Sequence, residues 1–223
     1  MFAVAIGELL SSWLNRPPCV DPLLLGGPLS AMGGAFGFVA GVCYSFAAVV
    51  FPVWAAALVA VICLGVLTHA THFPFDNDDD SKAAIFVHQI GTAFKFFAVA
   101  AIGIGDSSVS GVIGALLVAA SFSQALPAIV SIAGPVPDSL MAPNPKEVAS
   151  AICVPLLVAV FMAWMFGLLA VTLPLCFGLL CGVGFGAIAA HRSDISPCEV
   201  LGVAQQVGET AVLVGFAATL AAG

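Results

Sequence analysis

Charge is what this sequence has least of. Aspartate, glutamate, lysine and arginine make up 8% of its 223 residues, where a soluble domain carries about a quarter. So little charge cannot solvate the surface of an ordinary water-soluble fold. Basic residues are scarcer still: five Lys and Arg stand against twelve Asp and Glu, a net charge of −7. Nucleic acid is thereby excluded as a partner, because its phosphates need a basic surface. The seven cysteines, at 19, 43, 63, 153, 176, 181 and 198, include no CxxC pair. Several lie inside apolar runs, so most read as small buried apolar residues. Residues 1–14 lack a basic stretch ahead of an apolar core, so no cleaved signal peptide is expected.

What the chain does have is hydrophobic residues, 61% of the total, gathered into runs of about 20 residues, the length a helix needs to cross a bilayer. The reading is an all-α, polytopic transmembrane helix bundle of about seven spans in one domain. Residues 1–14 place Phe2, Ile6, Leu9, Leu10 and Trp13 at helical spacing and read as an amphipathic helix lying in the interface. The bundle, residues 15–223, follows, with spans expected near 29–51, 53–70, 83–105, 109–133, 149–171, 173–190 and 202–222. The first two could instead form a re-entrant hairpin. Gly33, Gly37 and Gly41 make a small-xxx-small series in the first span, the pattern that lets another helix come close. Pro127 is placed to kink the fourth.

With seven alternating spans and the N-terminus inside, Arg16, Lys82, Lys146 and Arg192 all fall on the inner side, as the positive-inside tendency requires. An acidic loop, 71–82, shares that face. It holds Asp76, Asp78, Asp79 and Asp80, and His69 and His72 stand at its entrance. Aspartates so close repel one another and persist in water, around a cation or against basic groups of a partner. The loop therefore reads as a metal and phosphate site, a docking patch or a solvated turn, the last being the commoner fate of an Asp run. Ser196-Pro197-Cys198-Glu199 reads as a helix start, and Glu199 could add a carboxylate on the same face.

A few polar side chains fall inside the apolar runs: His88, Thr92 and Lys95 in the third, and Gln205, Gln206 and Glu209 in the last. The i, i+4, i+7 spacing of His88, Thr92 and Lys95 sets them on one helical face. A lysine at that depth costs roughly 2.5–3.5 kcal/mol unless paired, and Glu209 is the natural partner. These groups either line a cavity opening toward the acidic loop or form one buried ion pair that fixes helix register.

The stretch Glu199-Val-Leu-Gly-Val-Ala-Gln-Gln-Val-Gly-Glu209-Thr resembles the C-terminal signature of the cobalamin synthase family, the adenosylcobinamide-GDP ribazoletransferases, roughly Thr-Gly-Asp-x-Leu-Gly-Ala-Ala-x-Glu-x-x-Glu. Leu67-Thr-His-Ala-Thr-His72 resembles the run leading into that family's acidic motif, Ile90-Gly-Thr92 its Ile-Gly-Thr, and Leu14-Asn-Arg16-Pro-Pro18 its N-terminal Thr-Arg-Leu-Pro. The order and spacing agree from Leu14 to Glu209. The resemblance implies a membrane enzyme whose aspartates hold Mg²⁺ while α-ribazole is joined to a GDP-activated corrinoid. With His72 aligned, however, the first motif aspartate becomes Pro74 and the third Ser81, while Asp78 is kept. The family's Asp-Ser-Arg becomes Val87-His88-Gln89, and its C-terminal Gly-Asp becomes Cys198-Glu199. Mg²⁺ depends on placed carboxylates, so these changes are expected to weaken it greatly.

Two functional readings stand. In the first, the chain is a non-catalytic relative, without a cofactor, serving as a structural or accessory subunit among other membrane subunits and lipid. In the second, it is an active ribazoletransferase using Mg²⁺ held by Asp76, Asp78, Asp79, Asp80 and Glu199. Either way it is expected in a bacterial cytoplasmic membrane or an organelle inner membrane, its polar loops on the cytoplasmic or matrix side. The embedded polar set is His72, His88, Lys95, Gln205 and Glu209.

Overall fold

A computed structural model describes residues 26–69, 82–105, 108–133, 145–191 and 197–220. These residues form seven helices: α1 (Gly26–Val50), α2 (Val53–His69), α3 (Lys82–Ile104), α4 (Ser108–Ala133), α5 (Pro145–Phe166), α6 (Leu168–Ala190) and α7 (Pro197–Leu220). Five contain stretches long and apolar enough to cross a membrane: Leu29–Val50, Val109–Ile132, Val148–Phe166, Leu168–Ala190 and Val200–Leu220. Helices α2 and α3 contribute the shorter apolar stretches Val53–Thr68 and His88–Ile104. The all-α bundle expected from the hydrophobic runs is the fold observed. The N-terminal segment 1–14 and the acidic loop up to Ser81 lie outside the described residues.

Two seams of small residues set the packing. In the first, α1 lies along α4. A Cβ on Gly33 would run into the carbonyl oxygen of Ala120, one on Gly37 into that of Leu116, and one on Gly41 would sit 2.8 Å from Cα of Ile113. Partners fall as the α1 residues rise, so the helices are antiparallel. The glycine series read from the sequence is therefore a contact face, and its partner is α4. The second seam, between α6 and α7, was not anticipated. Gly178 faces Val212 and Gly208, while Gly182 and Gly186 both face Ala204, again antiparallel. Without a hydrophobic drive between helices in lipid, such backbone approach supplies much of the packing energy.

Helix α4 is the axis. Of its apolar stretch 83% is buried, against 22% for α6. Around it Leu116, Leu126, Val112 and Phe122 meet Tyr44 and Ala40 of α1, Ala56, Ala60 and Leu64 of α2, Val99 and Ile102 of α3, and Val212, Leu213 and Phe216 of α7 in one core. The outward faces of α5 and α6 carry Leu157, Val160, Trp164, Leu168, Leu169 and Leu180, all largely exposed. Water would not tolerate so broad an apolar belt; lipid does.

Several boundaries differ from the sequence reading. The fifth and sixth spans were expected to part near Thr172, just ahead of Pro174. The break is instead at Gly167, with φ +94 and ψ 149, a conformation essentially reserved for glycine. Pro174 sits buried within α6, and Pro127 and Pro155 lie within continuous helices too. Neighbouring helices in a bundle tolerate such prolines, so glycine was the better signal here. Helix α5 starts earlier than expected, at Pro145, whose fixed φ and missing N–H suit a first helical position. Helix α7 starts at Pro197, where the Ser-Pro-x-Glu pattern places it.

Candidate functional site

Lys95 is the one basic side chain described as buried, at 7% exposure, and Glu209 is wholly buried. Their side chains meet, Lys95 Nζ donating to Glu209 Oε2 at 2.6 Å and to Gln206 Oε1 at 2.8 Å. Glu209 lies about halfway along the 24 residues of α7, so the pair stands near the middle of the apolar layer. The expected partnership of Lys95 with Glu209 is in place.

Helix direction explains the reach. A Cβ on Gly91 of α3 would meet Thr210 Oγ1 of α7 at 3.4 Å, and Gly103, further along α3, abuts the hydroxyl of Tyr44 near the far end of α1. Helices α1 and α7 both run opposite to α4, so α3 runs parallel to α7. Lys95 is then about 6 Å further along the axis than Gly91, at 1.5 Å per residue. Its side chain folds back toward its own N-terminus, as helical side chains do. That brings the ammonium beside Gln206 and Glu209. These two residues are i and i+3 on α7 and present their oxygens together. Both of the lysine's acceptors thus belong to α7, and the interaction ties α3 to it.

Further polar groups are buried elsewhere in the bundle. Ser30, Thr68, Ser121, Ser123, Gln124 and Gln205 are all buried. Ser30 Oγ donates to the carbonyl of Ala151 at 3.0 Å, joining α1 to α5. Thr68 Oγ1 and Ser123 Oγ bond to carbonyls of their own helices. Gln205 is wholly buried, yet neither Nε2 nor Oε1 meets a protein partner, and Ser121 Oγ is in the same position. The sequence reading singled out Gln205, Gln206 and Glu209 together; the structure separates them. Gln206 and Glu209 hold the lysine, while the Gln205 amide does not join them.

His88 and Thr92 depart from the expected interior face. Both are exposed, with Thr92 Oγ1 donating to the His88 carbonyl at 2.8 Å. The buried stripe of α3 consists of Gly91, Lys95, Ala98, Val99 and Ile102. His88 precedes it by almost a full turn, and Thr92 falls about 100° to one side of Gly91. Shared angle with Lys95 alone therefore did not decide burial.

Beside the pair, α3, α6 and α7 leave an apolar groove of about 440 Å³. Phe94, Phe177 and Phe185 form its walls, with Gln206 and Thr210 in its lining. Gln206 Oε1 is engaged by Lys95, and Thr210 Oγ1 donates to the Gln206 carbonyl.

The metal ligands proposed from the sequence fall mostly beyond these helices. Asp76, Asp78, Asp79 and Asp80 lie outside the described residues, as does His72 of the embedded polar set. Glu199 belongs to the first turn of α7, but its side chain is outside the described set. Among the described residues no group of three or more His, Cys, Asp or Glu stands together. No protein-family model, curated protein or solved structure matches the chain.

Proposed function

We propose that the chain is a non-catalytic integral membrane subunit, a cobalamin-synthase-like helical scaffold serving as a structural or accessory part of a larger membrane complex. The observation that carries this reading is where Lys95 points. Its ammonium is held by Glu209 and Gln206, both on α7, so the buried cation works as an interhelical clamp. The replacement of two motif aspartates by Pro74 and Ser81 supports the same view, since Mg²⁺ relies on placed carboxylates and the loss of two weakens its binding. The broad apolar exterior of α5 and α6 suits both lipid and helices of other subunits.

The second reading, a Mg²⁺-dependent ribazoletransferase, draws support from retained Asp78 and from the buried Gln205 amide, a polar group in the family-like segment with no protein partner. Isothermal titration of the purified protein with Mg²⁺ and GDP-activated corrinoid distinguishes the two. A scaffold gives no heat of binding and leaves mild detergent extracts in a large stable assembly. Tight, Mg²⁺-dependent binding by a protein that extracts alone would overturn the scaffold.

A further inference from the structure

We propose that Cys43 and Cys63 are a redox-active dithiol within the membrane, oxidised to an interhelical disulfide by a lipid-soluble quinone. Cys43 is on α1 and Cys63 on α2, and the thiol of Cys63 donates to Cys43 Sγ with the sulfurs 3.7 Å apart. Both side chains are half-buried. A disulfide needs the sulfurs at about 2.05 Å. The remaining closure, shared by two side chains that each turn about χ1, is small. The pairing is a product of the fold: the two residues are 20 apart in sequence, and the turn at Phe51-Pro52 folds α2 back along α1.

Depth selects the oxidant. Cys43 lies seven residues before the end of α1 and Cys63 ten after the start of α2, about 10 and 15 Å into the apolar layer at 1.5 Å per residue. That is well inside a hydrocarbon core about 30 Å thick. Glutathione disulfide and other charged oxidants do not enter that layer, whereas a quinone dissolves in it. Two S–H bonds break and one S–S bond forms. Two electrons and two protons pass to the quinone oxygens, giving the hydroquinone.

The bond would tie α2 to the anchored half of the bundle. Helix α1 is seated on α4 by its glycine seam, while α2 packs chiefly on α1 and α3. Oxidation would therefore fasten α2 to α1, and reduction would leave it held by packing alone.

The test uses the full chain in phosphatidylcholine proteoliposomes with a fully ring-substituted benzoquinone, which accepts electrons but offers no position for thiol addition. After quenching and denaturation, free thiols are alkylated with N-ethylmaleimide and counted by mass. The expected result is two fewer alkylated cysteines out of seven, a linked 43–63 peptide and one hydroquinone formed per protein. Cys43→Ala and Cys63→Ala should each abolish that loss, and Cys153→Ser should preserve it. Seven alkylatable thiols after quinone treatment of the wild-type chain, or a link through any other pair, would overturn the proposal. If one alanine variant does not fold, the other and the linked wild-type peptide still decide it.

Discussion

Replacing Lys95 with methionine should cost the folded bundle about 3–5 kcal/mol, because it leaves the buried Glu209 carboxylate without its counter-ion. The figure follows from the site. Glu209 is wholly buried and Lys95 nearly so, which leaves little solvent to replace the lost partner. Glu209→Leu should cost a similar amount by stranding the ammonium against Gln206. The double variant, Lys95→Met with Glu209→Leu, should recover most of the loss, since apolar replacement of a whole buried pair is commonly neutral or better. The assay is reversible unfolding in mixed micelles of dodecyl maltoside and SDS, with all four corners of the cycle measured in one detergent series. A coupling energy of several kcal/mol is expected, against errors of about 0.3–0.5 kcal/mol for independent sites. Additive single effects would refute the clamp, and single variants that match wild type would show the pair to be solvated rather than buried.

Three further outcomes follow from the packing. Gly37→Leu should break the α1–α4 seam, because even a Cβ there meets the Leu116 carbonyl, whereas Gly65→Ala, with open space around it, should be neutral or stabilise slightly. Thermal unfolding in detergent separates the two. Gly167→Ala should lower stability by roughly 1–3 kcal/mol through its φ of +94 although nothing crowds the position; a smaller change in the same assay would mean the turn relaxes into another conformation. Gln205→Leu should be tolerated or raise the unfolding midpoint, since the buried amide gives up no protein hydrogen bond. A loss above about 1 kcal/mol would show that the amide is satisfied by water or a ligand.

The sequence by itself determined the class of this protein. Sparse charge and apolar runs near 20 residues leave helices in lipid as the solution, because every backbone polar group must then be satisfied within its own segment. It also marked the glycines of α1 as a contact face and paired Lys95 with Glu209, since a buried cation demands a nearby anion and few were on offer. Tertiary structure decided the rest. Helical spacing gives an angle about an axis and says nothing of which neighbour lies at that angle. So His88 and Thr92 share a face with Lys95 yet stand exposed, and Gly178, Gly182 and Gly186 form a second seam that their spacing alone did not assign. The meeting of Cys43 with Cys63 belongs to the same class. It depends on how α2 folds back along α1, and contacts between helices are fixed by shape and direction rather than by any local pattern in the chain.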